Sequence, residues 1–204
     1  MNMRCLSLLL LSAVSSFATP FSFGVKAGVP LTDLLSTDPP YVSTTNRYII
    51  GPEVELNLPL GLGVEFDAVY QHFSYARPLV TTIGSEWEFP LLAKYRFPGR
   101  TVRPYIDAGI AWGTLSGLSQ TYGAICSPQS CLPGGGITTS TPSELRNSTV
   151  TGFVAGAGLS IHLLVLHVSP EIRYTRWGAQ QLVSPIGGLS SNQNQAEFLV
   201  GITF

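Results

Sequence analysis

The side chains able to move protons, attack a carbonyl or hold a metal are few in this chain. Its three histidines are His72, His162 and His167. A Ser, His and acid relay needs the three groups within mutual hydrogen-bond reach. No Ser plus carboxylate stands at a persuasive spacing from His72, and His162 and His167 bracket a short turn. These histidines read as interfacial hydrogen-bonding groups. The carboxylate pairs Glu53/Glu55 and Glu86/Glu88 invite a glycosidase or a calcium site. Residues two apart share one face of a strand, however, and Lys and Arg nearby account for them as ion-pair partners. Gly134-Gly135-Gly136 and the Gly156-Ala157-Gly158 stretch lack the Lys and Ser/Thr of a phosphate-binding loop. No catalytic, cofactor-binding or metal-binding residue is assigned, and the chain is expected not to be an enzyme.

Composition points elsewhere. Only 11% of the 204 residues are charged while 45% are hydrophobic, against about 25% charged in a typical soluble domain. Much of the surface must face something other than water. The net charge of -1 and the lack of basic runs exclude a nucleic-acid partner, which needs clustered cations against phosphate. Arg4, the apolar stretch Leu6 to Val14 and the small-x-small triplet Ser16-Phe17-Ala18 form a secretory signal, giving residues 1–18 as signal peptide and 19–204 as one barrel domain. In an oxidising compartment Cys126 and Cys131 are candidates for a small loop disulfide.

Beyond the signal the sequence shows strand-like alternation and no apolar run of spanning length. Eight segments put bulky residues on one phase and charges on the other. Trp87, Phe89, Leu91, Ala93, Tyr95 and Phe97, for example, oppose Glu86, Glu88, Lys94 and Arg96. The connections alternate in length. Those near residues 59–61, 98–101 and 162–166 are short, whereas 30–46, 74–84, 114–149 and 178–194 are long and polar. This predicts an all-β, closed, eight-stranded antiparallel up-and-down transmembrane barrel, with long loops on one rim and short turns on the other.

The bulky phase decides which face meets lipid. An eight-stranded barrel has an interior only wide enough to be filled by side chains, and the charged phase here is padded with Gly, Ala, Ser and Thr. The predicted lumen then holds the acids Glu53, Glu55, Glu65, Asp67, Glu86, Glu88, Asp107, Glu171 and Glu197 with the bases Lys26, Arg47, Lys94, Arg96, Arg103 and Arg173. Buried charges persist only when paired, so a plugged lumen follows. Tyr48, Tyr70, Trp87, Tyr95, Phe97, Trp112, Tyr174 and Phe204 suit aromatic girdles. Arg176 falls on the lipid phase at the outer end of its strand, within reach of headgroups or water.

The alternating segments, the strand GFVAGAGLSI, the motif EIRYTRW (Glu171 to Trp177) and the terminal EFLVGITF together resemble the small eight-stranded bacterial outer-membrane barrels of the OmpA/OmpX type. The resemblance covers the whole mature chain. It implies an outer-membrane location, contact with membrane lipids and the outer-membrane assembly machinery, and a monomer, with Phe204 as the terminal aromatic assembly signal. With EFLVGITF as the closing strand, no peptidoglycan-binding domain is expected after it, a departure from the larger OmpA proteins. The expected role is structural, adhesive or surface recognition through the long loops, whose ligand the sequence does not name. A narrow cation-preferring pore is the alternative. A lipid-modifying outer-membrane hydrolase, with His72 on the lipid face, is a lesser one.

Overall fold

A computed structural model describes residues 21–122, 125–127, 130–132, 137–138, 141–163 and 166–204. The signal-peptide assignment lies outside the described residues. The described strands are β1 (Phe21–Pro30), β2 (Leu35–Thr37), β3 (Val42–Asn57), β4 (Leu62–Asp67), β5 (Val69–Arg77), β6 (Val80–Arg96), β7 (Val102–Tyr122), β8 (Ile125–Ser127), β9 (Ser130–Leu132), β10 (Ile137–Thr138), β11 (Thr149–Leu163), β12 (Leu166–Trp177), β13 (Leu189–Ser191) and β14 (Asn194–Thr203). Every pairing is antiparallel, and β4 and β5 form one stave interrupted at Ala68. The staves β1, β3, β4/β5, β6, β7, β11, β12 and β14 pair in sequence order, and β14 returns to β1 with Gly24–Pro30 against Glu197–Thr203. The barrel is closed and eight-stranded. Closure leaves the staves without a free edge, so their backbone groups can pair within the protein as hydrocarbon requires.

The two faces separate by chemistry. Phe21, Phe23, Ile50, Phe66, Leu91, Ile106, Ile110, Phe153, Ile172 and Phe198 are exposed on the outer wall, whereas Glu86, Glu88 and Glu197 are buried inside. Rings pack along that wall as Tyr70–Trp87, Trp87–Phe89 and Phe66–Phe89, with centroids 5.1, 6.2 and 6.5 Å apart. Trp87 near one rim and Phe97 near the other lie ten residues apart on or just past β6. That is ~33 Å along a strand and ~25 Å of height at a ~40° tilt, the thickness of an outer-membrane apolar band.

The short turns are built locally. Pro59–Gly61 turns tightly with Leu60 and Gly61 at positive φ, and only two residues, 164 and 165, link β11 to β12. On the other rim the expected long connection 74–84 is instead a tight hairpin. The strands β5 and β6 continue to Arg77 and Val80 and turn through Pro78 and Leu79. Likewise β7 runs on to Tyr122 and pairs with the far end of β6. The alternation of Thr81, Thr82 and Ile83 extends the ladder past the membrane, because β-branched residues fit a pleated surface whether lipid or water lies beyond.

Candidate functional site

The lumen is stacked in three layers. At its centre, Lys26 of β1 is fully buried, with its Nζ paired to Glu65 and lying 3.2 Å from Asp67 and from Glu171 and 3.8 Å from Glu53. Arg173 of β12, equally buried, donates from Nη2 to Glu65 at 3.0 Å and approaches Asp67 at 2.9 Å, while its Nε donates to Glu171 at 2.7 Å. Lys94 of β6 pairs with Glu65 and lies 3.3 Å from Glu55. Glu55 also pairs with Arg96, which donates to Asn57 at 2.9 Å. Tyr105 donates to Glu171 at 3.1 Å and lies under the Lys94 ammonium, 4.3 Å from ring centroid to Nζ. Glu53, Glu65 and Asp67 stand close enough to share a metal ion, but Lys26 and Arg173 already supply the positive charge among them.

Of the predicted lumen residues, the structure thus brings Glu53, Glu55, Glu65, Asp67, Lys94, Arg96, Glu171 and Arg173 into one cluster with Lys26. Glu86, Glu88, Asp107 and Glu197 are also buried inside. Among the described residues no Lys or Arg reaches those four within ion-pair distance. Glu88 accepts instead from Thr175 at 3.4 Å. Arg103 faces the periplasmic mouth and donates to the Gly99 carbonyl at 3.0 Å. Arg47 corrects the inward tally. It lies in a bulge of β3 between Thr45 and Ile49, off the regular ladder, and its side chain is 75% exposed, 3.8 Å from Asp33. A bulge re-aims a side chain independently of the two-residue period.

Above the charged layer the lumen turns apolar. Phe73 and Tyr75 of β5 and Leu115 of β7 point inward and pack with Leu34, Leu35, Tyr41, Leu182 and Leu189 from the outer connections. A small sheet of β2 against β13 holds two of those connections together. A buried carboxylate, Glu144, meets Arg77 at 3.4 Å and accepts from Tyr41 at 3.5 Å, and Tyr41 also meets Ser184 at 3.0 Å. Sequence reasoning missed this cap. Its inward aromatics contradict a purely small-and-charged lumen, and residues of the outer connections, some of them more than a hundred positions away, pack against them. Below the charged layer, at the rim of short turns, a cavity of about 350 Å³ opens beside Arg96, Arg103, His162 and His167.

On the outer wall a serine does stand beside His72, without the carboxylate, among the described residues, that a relay would need. His72 and Ser85 are register partners of β5 and β6. Ser85 Oγ lies 3.3 Å from His72 Nδ1 and 2.8 Å from Tyr70 Oη. Among the described residues no carboxylate joins them, so the three polar tips satisfy one another on a lipid-facing surface. Arg176 is exposed on the same wall and donates to Asn194, which also accepts from Tyr174 at 2.8 Å. In the outer connection of β7 and β11 the backbone sets Cys126 opposite Cys131. Their side chains lie outside the described residues.

A closed eight-stranded barrel with an oily exterior, an ionised core and elaborated loops on one rim decides the family. The outer membrane protein beta-barrel domain family matches residues 5–204. The chain belongs to this family, and its location is the bacterial outer membrane. No curated protein matches it. Among solved structures it is similar to the outer membrane protein OprG of Pseudomonas aeruginosa at 12% identity, covering 90% of this chain and 92% of that one with a TM-score of 0.54. That likeness shows the shared fold. Neisserial surface protein A follows at 13% identity, 91% and 96% coverage and a TM-score of 0.48. The attachment invasion locus protein Ail of Yersinia pestis gives 10%, 90%, 96% and 0.46.

Proposed function

We propose that this family member is a non-enzymatic, non-conducting barrel whose role is to anchor a folded extracellular platform for structural or recognition purposes. The observation that carries the reading is the stacking of two seals in one narrow lumen. Lys26 and Arg173 are wholly shielded within their carboxylates, and the Phe73, Tyr75 and Leu182 layer closes the outer mouth. An ion crossing this path must break buried charge pairs and part an apolar layer. Water-filled conduction asks for neither.

The linked outer connections support the platform reading. Tyr41, Glu144, Ser184 and the β2–β13 sheet join three of them into one surface, and rigid loops present a fixed shape more effectively than free ones. In the outer connection of β7 and β11, β8 pairs with β9, and β10 pairs with the end of β7. Lipid contact follows from the outer wall, and assembly through Phe204 as a monomer belongs to the same proposal. Planar-bilayer recording on purified protein tests the closed lumen. The expected trace is flat at physiological salt, and steady ohmic steps with cation preference would favour the pore instead.

A further inference from the structure

The histidines at the rim of short turns have no part in the plug or the platform. His162 near the end of β11 and His167 near the start of β12 are direct register partners across the hairpin. Their rings meet edge to face with centroids 3.8 Å apart and an interplanar angle of 80°. The two Nε2 atoms face each other at 2.5 Å. At that separation both cannot carry a hydrogen, so at least one presents its lone pair to the space between them. Two imidazole nitrogens brought face to face by direct cross-strand register are donors of the kind that borderline transition ions seek.

We propose that His162 and His167 bind one divalent first-row transition ion, of the Cu²⁺ or Zn²⁺ class, at the periplasmic mouth of the barrel. Metal–imidazole bonds of ~2.0–2.1 Å in a tetrahedral site set the two nitrogens ~3.3 Å apart. The pair must therefore open by under ~1 Å, which side-chain rotation at an exposed hairpin end provides. Both histidines line the cavity of about 350 Å³, where Ser169 and Thr203 offer hydroxyls and water has room to complete the coordination. The charged groups facing the site are Arg96, Arg103 and Glu55. Glu55 is already engaged by Arg96 and Lys94, so it adds no free ligand. The two guanidiniums disfavour a bare dication and favour one carrying an anionic co-ligand such as hydroxide or phosphate. Two protein ligands and open positions make an exchangeable site rather than a closed structural one. By the general order of affinities, Cu²⁺ binds tighter than Zn²⁺ or Ni²⁺.

The test uses untagged mature protein in detergent micelles, dialysed to equilibrium against Cu²⁺ and against Zn²⁺, with bound metal counted by mass spectrometry. His162→Asn, His167→Asn and His72→Asn are run beside it. One ion per chain is expected, lost in the first two variants and kept in the third. Electron paramagnetic resonance of the Cu²⁺-loaded unaltered protein reports independently of any variant's folding and should show hyperfine splitting from two nitrogens. No stoichiometric ion, a spectrum without two nitrogen ligands, or full retention in either His162→Asn or His167→Asn overturns the proposal.

Discussion

Replacing Arg173 with Met keeps an unbranched stem but removes the guanidinium and its charge from the most enclosed point of the lumen. The guanidinium sits with Glu65 at 3.0 Å, Asp67 at 2.9 Å and Glu171 at 2.7 Å, and none of these four side chains is exposed. With Met in place, Lys26 and Lys94, together with Arg96 on Glu55, are left to face Glu53, Glu55, Glu65, Asp67 and Glu171. Removing one partner of a buried ion pair costs about 3–5 kcal/mol, because the desolvated charge left behind has no compensation. At about 1.4 kcal/mol per tenfold change, the folded-to-unfolded equilibrium constant falls by roughly two to three and a half decades. The assay is urea unfolding in lipid vesicles followed by tryptophan fluorescence, with Arg47→Met as control. Arg47 is 75% exposed and 3.8 Å from Asp33, and such surface pairs contribute under ~1 kcal/mol. If Arg173→Met unfolds at the same urea concentration as the unaltered protein, or if Arg47→Met costs as much, the lumen cluster is not the buried, uncompensated arrangement described above.

Two further outcomes follow from the geometry. Leu91 lies on the outer wall between the aromatic rows, so Leu91→Lys should destabilise the barrel by ~2–4 kcal/mol in vesicles, whereas Leu60→Lys in the periplasmic turn should cost ~0–1 kcal/mol; equal unfolding midpoints would place Leu91 outside hydrocarbon. The opposed backbone positions of Cys126 and Cys131 favour a bond between them in protein recovered from cells, so alkylation should label no mature-chain thiol before reduction and two after it, and labelling without reduction would show free cysteines.

The sorting of faces was legible in the sequence because it rests on a period of two, and period two is a local property of the backbone. Glu86, Glu88 and Lys94 alternate with Trp87, Phe89 and Leu91, so one segment alone shows which phase is ionised. Where the period breaks, local reading fails. Arg47 keeps the parity of Glu53 and Glu55, yet the bulge between Thr45 and Ile49 turns it outward. Membrane boundaries are equally illegible from alternation, since Ser74 to Tyr122 contains polar strand that continues into water as the β5, β6 and β7 extensions. The Ser85–His72 contact depends on that hidden tight turn. The cap was invisible for another reason. Parity turns Phe73 and Tyr75 inward with Val69 and Gln71, but the residues that pack on them, Leu34, Leu35, Tyr41, Leu182 and Leu189, come from connections remote in sequence, and no spacing rule encodes which loop folds over which mouth. The members of the charged cluster could be named from parity, but not their pairings, such as Lys26 with Glu65 or Arg173 with Asp67.

Those pairings bear on how the barrel chooses its register. Lys26 comes from β1, Glu53 and Glu55 from β3, Glu65 and Asp67 from β4, Lys94 from β6, and Glu171 and Arg173 from β12. Five of the eight staves meet in one cluster, including β1, which seals the closure against β14. A slip of one residue at any of these staves would turn its charges toward lipid, where a Lys or Arg at the midplane costs ~2–4 kcal/mol. A slip of two keeps the phase but parts donors from acceptors that now sit within about 3 Å. Against an apolar filling of equal volume, a buried ion cluster contributes little net stability. Its discrimination is larger, because an apolar lumen would pack comparably in several registers. On this reasoning the charges hold one closure of the barrel apart from its neighbours, and the same enclosure that makes them specific is what supports the proposal of a closed lumen.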